Sequence, residues 1–595
     1  MRMFHFSRAR QILSIMLLGI LLQSGDVLSG TNSANKPTSK TVSSPDFGSN
    51  VLILDPSMPA SAVQSKLDSI FSQQESNQFG SNRYAILFKP GTYNNTVRVG
   101  FYTQLMGLGQ TPDAVTINGG VQVDAAWFDS DATQNFWRGA ENLAVTPASG
   151  TMKWAVAQAS PLRRVHVRGS MVLDDDGWSS GGYMSDSLID HEVNSGKQQQ
   201  WLSRNSRVGS WVGSNWNIVF VGDDNAPSNY RWPNQSYTVI SHTPVVREKP
   251  FLTIDHQGKY SVFVPALTKN YRGITWAGNW ERVKAAGETI PISKFYIAKA
   301  EVDTAASINA ALTRGKHILL TPGVYKLDKT LQVTKANTII LGLGIATLQP
   351  TTGLPAMIVD DVDGVKLAGI LFDAGIKNSS VLLQVGSPNS KADHASNPTS
   401  LHDVFFRIGG AGPGNATVSL QINSNDVIGD DLWLWRADHG SGIGWNINTT
   451  TNGLVVNGNN VSIYGLAVEH YHQYQTVWNG NGGAVYFYQS EAPYDVPDQA
   501  NWMNGKVNGY ASYKVADSVT SHQAWGVGVY CFFDTNPEVK LQRAIEAPYK
   551  NSQQSGAIFH DVTTVSLGGT GEITHVIGDL GDAANPSSQV IRLAQ

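Results

Sequence analysis

An all-β protein, built as a parallel β-helix that occurs twice along one chain, is the fold class this sequence predicts. Three observations carry that prediction. Charged residues make up only 15% of the chain, against 58 glycines, 16 tryptophans and 20 tyrosines. Such a composition is poor in the Lys and Glu that decorate helices and rich in turn formers and flat aromatics. Short apolar runs such as "LVV", "VSIYGL" and "AVYFY" follow one another at coil-like intervals, punctuated by Gly, Asn and Asp and not by helices. Finally, two parts of the chain resemble each other. An antiparallel sandwich is the alternative architecture.

From the N-terminus, Arg2, Arg8 and Arg10 precede the apolar run "ILSIMLLGILL", and "VLSG" offers small residues for cleavage. Residues 1–30 therefore read as a secretory signal, too short in its apolar part to span a membrane comfortably. An uncleaved anchor is the other reading. Residues 31–48, rich in Ser, Thr, Asn and Pro, read as a flexible leader.

The first repeat reads "PASAVQSKLDSIFSQQ" and then "YAILFKPGTYNNTVRVGFYTQLMGLG"; the second reads "DTAASINAALTRG" and then "HILLTPGVYKLDKTLQVTKANTIILGLG". Each predicts a short amphipathic helix opened by a capping residue, a buried strand, a Pro-Gly turn with tyrosine, and a Gly-Leu-Gly turn. Pro90 and Gly91 correspond to Pro322 and Gly323, and Gly107 and Gly109 to Gly342 and Gly344. Self-similarity at this scale predicts a duplicated domain, over residues 49–290 and 291–595. The helix before each first coil would cap the open apolar end of a solenoid.

Charge and cysteine content narrow the function classes. A net charge of −4 offers no basic footprint for nucleic acid. The single cysteine, Cys531, excludes an intramolecular disulfide and reads as a packed core residue. Export, with stability supplied by a large core, and a monomeric state are the expectations.

Candidate chemistry concentrates in "AVEHYHQYQTVWNGNGGAVYFYQSEAPYD". Glu469 and Glu491 stand there among aromatics and amides, where carboxylates lose favourable hydration. Their separation is close to one β-helix turn, which would set them on neighbouring strands roughly 4.8 Å apart. Carboxyls that close raise one another's proton affinity, the usual route to an acid that stays protonated near neutral pH. Glycoside hydrolysis needs such a pair; a solvated surface ladder is the alternative. The nearby aromatics Trp433, Trp435, Tyr471, Tyr474, Trp478, Tyr486, Tyr488 and Tyr494 offer flat faces suited to sugar rings, with part of the set expected to fill the core.

These residues resemble glycoside hydrolase family 55. The likeness is carried by "VEHYHQYQTVWNG", "VYFYQSEAPYD", "LWLWRADH", "WAVAQASPLRRVHV", "SSGGYMSD" and both cap-and-first-coil units, in order along most of the chain after about residue 45. The resemblance implies two tandem right-handed, pectate-lyase-like β-helices packed side by side. It also implies an inverting, mostly exo-acting hydrolase of β-1,3-glucans such as laminarin, working from the non-reducing end. By the same resemblance Glu491 is the general acid, and Glu469, Gln158 and Ser185 hold the nucleophilic water. Ser179 and Ser180 stand close enough in sequence to take the place of Ser185. Trp433, Trp435, Asp438, His439, Tyr471, Trp478 and Tyr494 are the candidate substrate contacts; for Asp438 and His439 a structural hydrogen bond across a turn is the alternative. Two positions depart from the family pattern around the acid, Ala492 and Asp495.

Inverting enzymes usually hold their two carboxyls about 6.5–9.5 Å apart, and a direct one-coil stack suggests less. Splayed side chains, or water activation shared with Gln158 and Ser185, would reconcile the two. No metal or organic cofactor is expected. The triplet Asp174-Asp175-Asp176 reads as a solvated turn before a calcium site. A catalytically silent glycan-binding or adhesive β-helix, or a hydrolase of a different β-glycan, are the rival functions.

Overall fold

The structure is a computed structural model and describes residues 45–228, 232–276, 286–550, 553–554 and 556–593. The expected signal and nearly all of the leader lie outside the described residues. Parallel sheets dominate. One stack runs from Val51–Leu54 to Tyr237–Ile240, each strand hydrogen-bonded in parallel to the next coil. A second runs from Phe295–Ala298 to Ala557–Ser566, closed by the antiparallel strand Val590–Leu593. Another parallel sheet, from Leu331–Val333 to Glu572–Ile577, forms a further wall of this second β-helix. Small antiparallel sheets between residues 243 and 291 join the two stacks. The sandwich alternative is thereby excluded.

The two cap helices differ in how they begin. Ala305–Thr313 opens with a capping box in which Thr304 and Ser307 satisfy each other's backbone N–H. Ala60–Gln74 starts at Pro59 with no side-chain cap, so the expected capping residue is absent there. Proline's fixed φ supplies the entry geometry instead. Val63, Leu67 and Ile70 of this helix lie on the first apolar core. Ala305, Ile308 and Leu312 do the same for the second.

Inside each β-helix, branched residues of successive coils stack, as with Ile318, Ile340 and Leu367. Cys531 lies in this core, fully buried. Between the two β-helices lies a third apolar region, where Phe136 and Trp137 of the first meet Phe405, Trp433 and Trp435 of the second.

One backbone feature decides which side chains reach that interface. Gly465, Phe487 and Gly526 all have positive φ (73°, 68° and 60°), and the strand register steps over each of them. Strict alternation would give Ile463 and Glu469 the same face. Ile463 is in the core; the extra residue at Gly465 resets the alternation, so Leu466 and Val468 point inward and Ala467 toward the partner helix. Glu469 follows Ala467 outward. The step at Phe487 does the same for Glu491, and a left-handed phenylalanine stores about 1 kcal/mol or more of strain.

A buried ionic cluster adds polar specificity to the interface. Arg163 pairs with Asp403 (2.6 Å) and Asp430 (2.8 Å), and Arg204 with Asp430 (3.0 Å) and Glu248 (2.6 Å). Lys249 joins Glu141 and Asp403.

Candidate active site

Glu469 and Glu491 are direct register partners on the adjacent parallel strands Ser462–Glu469 and Gly483–Glu491. The same rung continues to Trp435 on one side and Tyr530 on the other. Their surroundings differ. Glu469 is almost wholly buried, whereas the Glu491 side chain keeps 15% of its surface. Trp433 Nε1 donates to Glu469 Oε2 at 2.8 Å, and Gln158 Nε2 to Glu469 Oε1 at 2.7 Å. Gln489 Nε2 donates to Glu491 Oε1 at 3.1 Å, and the Tyr494 hydroxyl donates to Glu491 Oε2.

Burial pushes the Glu491 carboxyl up to about 7, with Asp438 adding repulsion and the Tyr494 bond opposing. Glu469 lies well above the usual carboxylate range, first through burial and then through the charge of Glu491. When Glu491 holds a proton that repulsion vanishes. The donors Trp433 and Gln158 favour the charged form of Glu469 against its burial. Asp438 is the fixed anion nearby: burial opposes its charge, but His439 and His470 outweigh it and hold Asp438 below its usual value. His470 Nε2 lies 3.7 Å from Glu491 Oε2 and 4.0 Å from Asp438 Oδ1; burial above all keeps it below the ordinary histidine range.

Several sequence-predicted contacts lie here. Tyr494 touches Glu491, and Asp438 and His439 (Oδ1 to Nδ1, 2.9 Å) form the adjoining wall. Asp495, the departure noted above, is clasped bidentately by Arg436 at 2.9 and 2.7 Å. That grip ties the residue after Tyr494 to the strand carrying Trp433 and Trp435.

Other expectations need correction. Trp478 and Tyr471 are fully buried in the core of the second β-helix, Tyr471 bonded to Ser419, so neither can face a sugar. Trp433 and Trp435 are closed in between the two β-helices, 4.6 Å and 6.4 Å (ring centroids) from Trp137. Trp433 acts instead as a donor to Glu469. Ser185 is fully buried and its hydroxyl accepts from Arg163 Nη1 at 3.0 Å, so it belongs to the ionic cluster and not to the carboxyl pair. Ser180 is better placed, since it precedes Gly181, where any Cβ would meet Gln158 Cγ at 2.8 Å. A void of about 10 Å³, room for about one water, is bounded by Gln158, Gly181, Asp431 and Trp433. Asp174 and Asp175 are buried and accept from the backbone N–H groups of Lys197 and Ala125. The solvated turn expected there is thus buried and hydrogen-bonded at two of its three carboxylates, and only Asp176 is exposed.

Sequence reasoning missed an aromatic row. Tyr530 packs on Trp216 at 5.4 Å, and Trp216 stacks on Trp178 at 6.1 Å, with Trp178 44% exposed. The row leads from the rung of Glu491 to the surface. It also missed Gln78 and Phe79, which follow the first cap helix and reach His439 and Trp435. Tryptophan count alone signalled the first; nothing in the sequence signalled the second.

Paired carboxyls of unequal exposure, mounted on stacked parallel coils, are an arrangement suited to acid–base chemistry on a glycosidic bond, the class of β-helical glycoside hydrolases. The family model for the LAM55 pectate lyase-like domain matches residues 295–491. An exo-beta-1,3-glucanase of Streptomyces sp. (strain SirexAA-E / ActE) is 52% identical over 548 residues, covering 92% of this chain and 88% of that protein. The structure of sacteLam55A from Streptomyces sp. SirexAA-E superposes with a TM-score of 0.89 at 50% identity, over 93% of this chain and 100% of that one. A glutamate-to-alanine variant of sacteLam55A in complex with glucose gives the same score over 94% of this chain. The chain belongs to glycoside hydrolase family 55.

Proposed function

We propose that this protein is a secreted, inverting exo-hydrolase of β-1,3-glucans, active as a monomer whose two β-helical units span about residues 49–290 and 291–595. The similar enzyme from Streptomyces supports the substrate, and the bond between Gln158 and Glu469 is the observation that carries the mechanism. Glu491 holds a proton near neutral pH, reaches the surface and gives that proton to the departing glycosidic oxygen. Glu469 and Gln158 hold the attacking water from the opposite side, with Ser180 in the supporting place first expected of Ser185. Sharing the water between two β-helices removes the need for a lone base at the larger carboxyl spacing typical of inversion. Trp178 and Trp216 replace Trp433, Trp435 and Trp478 as the sugar platforms.

The test is a laminarin digest followed by proton NMR. Early α-glucose is the expected product, since inversion at a β-linkage releases the α-anomer. Early β-glucose would overturn the mechanism, and absence of glucose would overturn the exo assignment.

A further inference from the structure

Around the side of the second β-helix from the carboxyl pair, where the turns of successive coils stack, lies an open cleft of about 280 Å³. We propose that this cleft is a second binding site for an uncharged glucan chain, holding polymer while the carboxyl pair works on an end. The proposal rests on the reading of the protein as a β-glucan hydrolase.

The first support is chemical. Among the lining residues none is acidic, lysine or arginine. Its one titratable group, His472, is pushed down to about 4, by burial first, and so is neutral at working pH. An anionic polysaccharide would find no counter-charge here. A neutral one needs only hydroxyl partners and a flat face.

That face is Trp445, which is partly exposed and held from within. The Arg436 guanidinium lies 5.9 Å from its ring centroid, and the His472 ring meets it edge-on at 4.4 Å. A ring fixed in this way loses little freedom when a sugar stacks on it. Across the cleft, Asn378 Nδ2 donates to Thr417 Oγ1 at 3.0 Å, a pair that joins neighbouring coils into a polar wall.

A second support is independent of the first. Thr450 lines the cleft, is only 6% exposed, and its hydroxyl has no hydrogen-bond partner among the described residues. Buried hydroxyls without partners are uncommon, and a ligand hydroxyl would satisfy this one. The loop carrying Trp445 and Thr450 begins just after Asp438 and His439, so polymer held in the cleft stays beside the catalytic wall.

The experiment compares wild type, Thr417→Arg and Asn446→Asp, both at exposed positions of the cleft and outside the catalytic machinery. Two quantities are read: adsorption to insoluble β-1,3-glucan at low temperature, and hydrolysis of laminaritriose, which is too short to occupy both sites. The expected result is adsorption weakened about fivefold or more in both variants, with trisaccharide hydrolysis unchanged. Wild-type adsorption in both variants would overturn the second site. Loss of trisaccharide hydrolysis along with adsorption would also overturn it, by making the cleft part of the catalytic site. Failure of wild type to cleave the trisaccharide would count against the hydrolase reading, separately from adsorption. Because Asn446→Asp keeps the side chain's shape, a folding defect in the arginine variant alone leaves the comparison intact.

Discussion

Gln158 Nε2 and Glu469 Oε1 stand 2.7 Å apart, 311 residues distant in sequence and on different β-helices. Neither half of the chain assembles this contact alone. The bond places a neutral donor on a buried carboxylate, where it favours the charged form without adding charge to the interface.

Gln158→Ala removes one of the two donors on Glu469. Turnover of laminaritriose is expected to fall about a hundredfold, and the acidic limb of the pH profile should move to higher pH because Glu469 then binds its proton more tightly. An unmoved limb would mean that Gln158 acts on something other than Glu469.

Glu491→Gln is expected to lower turnover about 10³-fold, the middle of the range for loss of a general acid. For wild type, a protonated Glu491 requires kcat to decline as pH rises through about 7. Stability gives an independent check. The folded state raises this carboxyl from 4.5 to about 7, so it binds the proton more tightly than the unfolded chain does. Wild type therefore loses stability as pH rises from about 4.5 to 7, by up to about 3 kcal/mol. The glutamine variant should be more thermostable than wild type at pH about 8 and no more so at pH about 4, measured by calorimetry.

Trp433→Phe keeps an aromatic ring between the two β-helices and deletes the N–H that reaches Glu469. A fall in kcat of about tenfold to a hundredfold with little change in KM is expected, since the group positions a reacting partner without touching sugar. A rise in KM with unchanged kcat would restore the platform role that its burial argues against.

Gly465→Ala tests the step that turns Glu469 outward. The backbone there has φ of 73°, and an added Cβ would lie 3.1 Å from Tyr183 Cδ2 and 3.2 Å from Leu202 Cδ2. Destabilisation by about 1–2 kcal/mol is expected from strain and crowding together, seen as a lower Tm with activity reduced in parallel. Full stability would show that the interface yields more readily than its packing suggests.

The repeated cap-and-coil units, the turn-punctuated strands and the spacing of Glu469 and Glu491 were all legible in the sequence, because coil stacking depends on local patterns that repeat. The unequal surroundings of the two carboxyls were not legible from spacing. They come from Gln158, Asp438 and Tyr494, brought close by coil stacking and by the docking of the two β-helices. Aromatic residues misled most: Trp478 and Trp435 read alike in sequence, yet one lies inside a coil and the other between two β-helices. Strict alternation could not have sorted their faces either, because the positive-φ residues reset the count. The Ser185 expectation failed for a related reason, since the strand that carries it feeds the buried arginines and not the site.

The positive-φ step gives each strand of the interface something like a reading frame. Loops between rungs vary freely in length, with 22 residues from Glu469 to Glu491 and 39 from Glu491 to Tyr530, and the rung is undisturbed. A single residue lost between Gly465 and Glu469 would instead be a frameshift in space, turning the carboxylate inward and Val468 out. Insertions that reshape the mouth of the enzyme are thus open to evolution, while the four residues after the step are closed to any change in number.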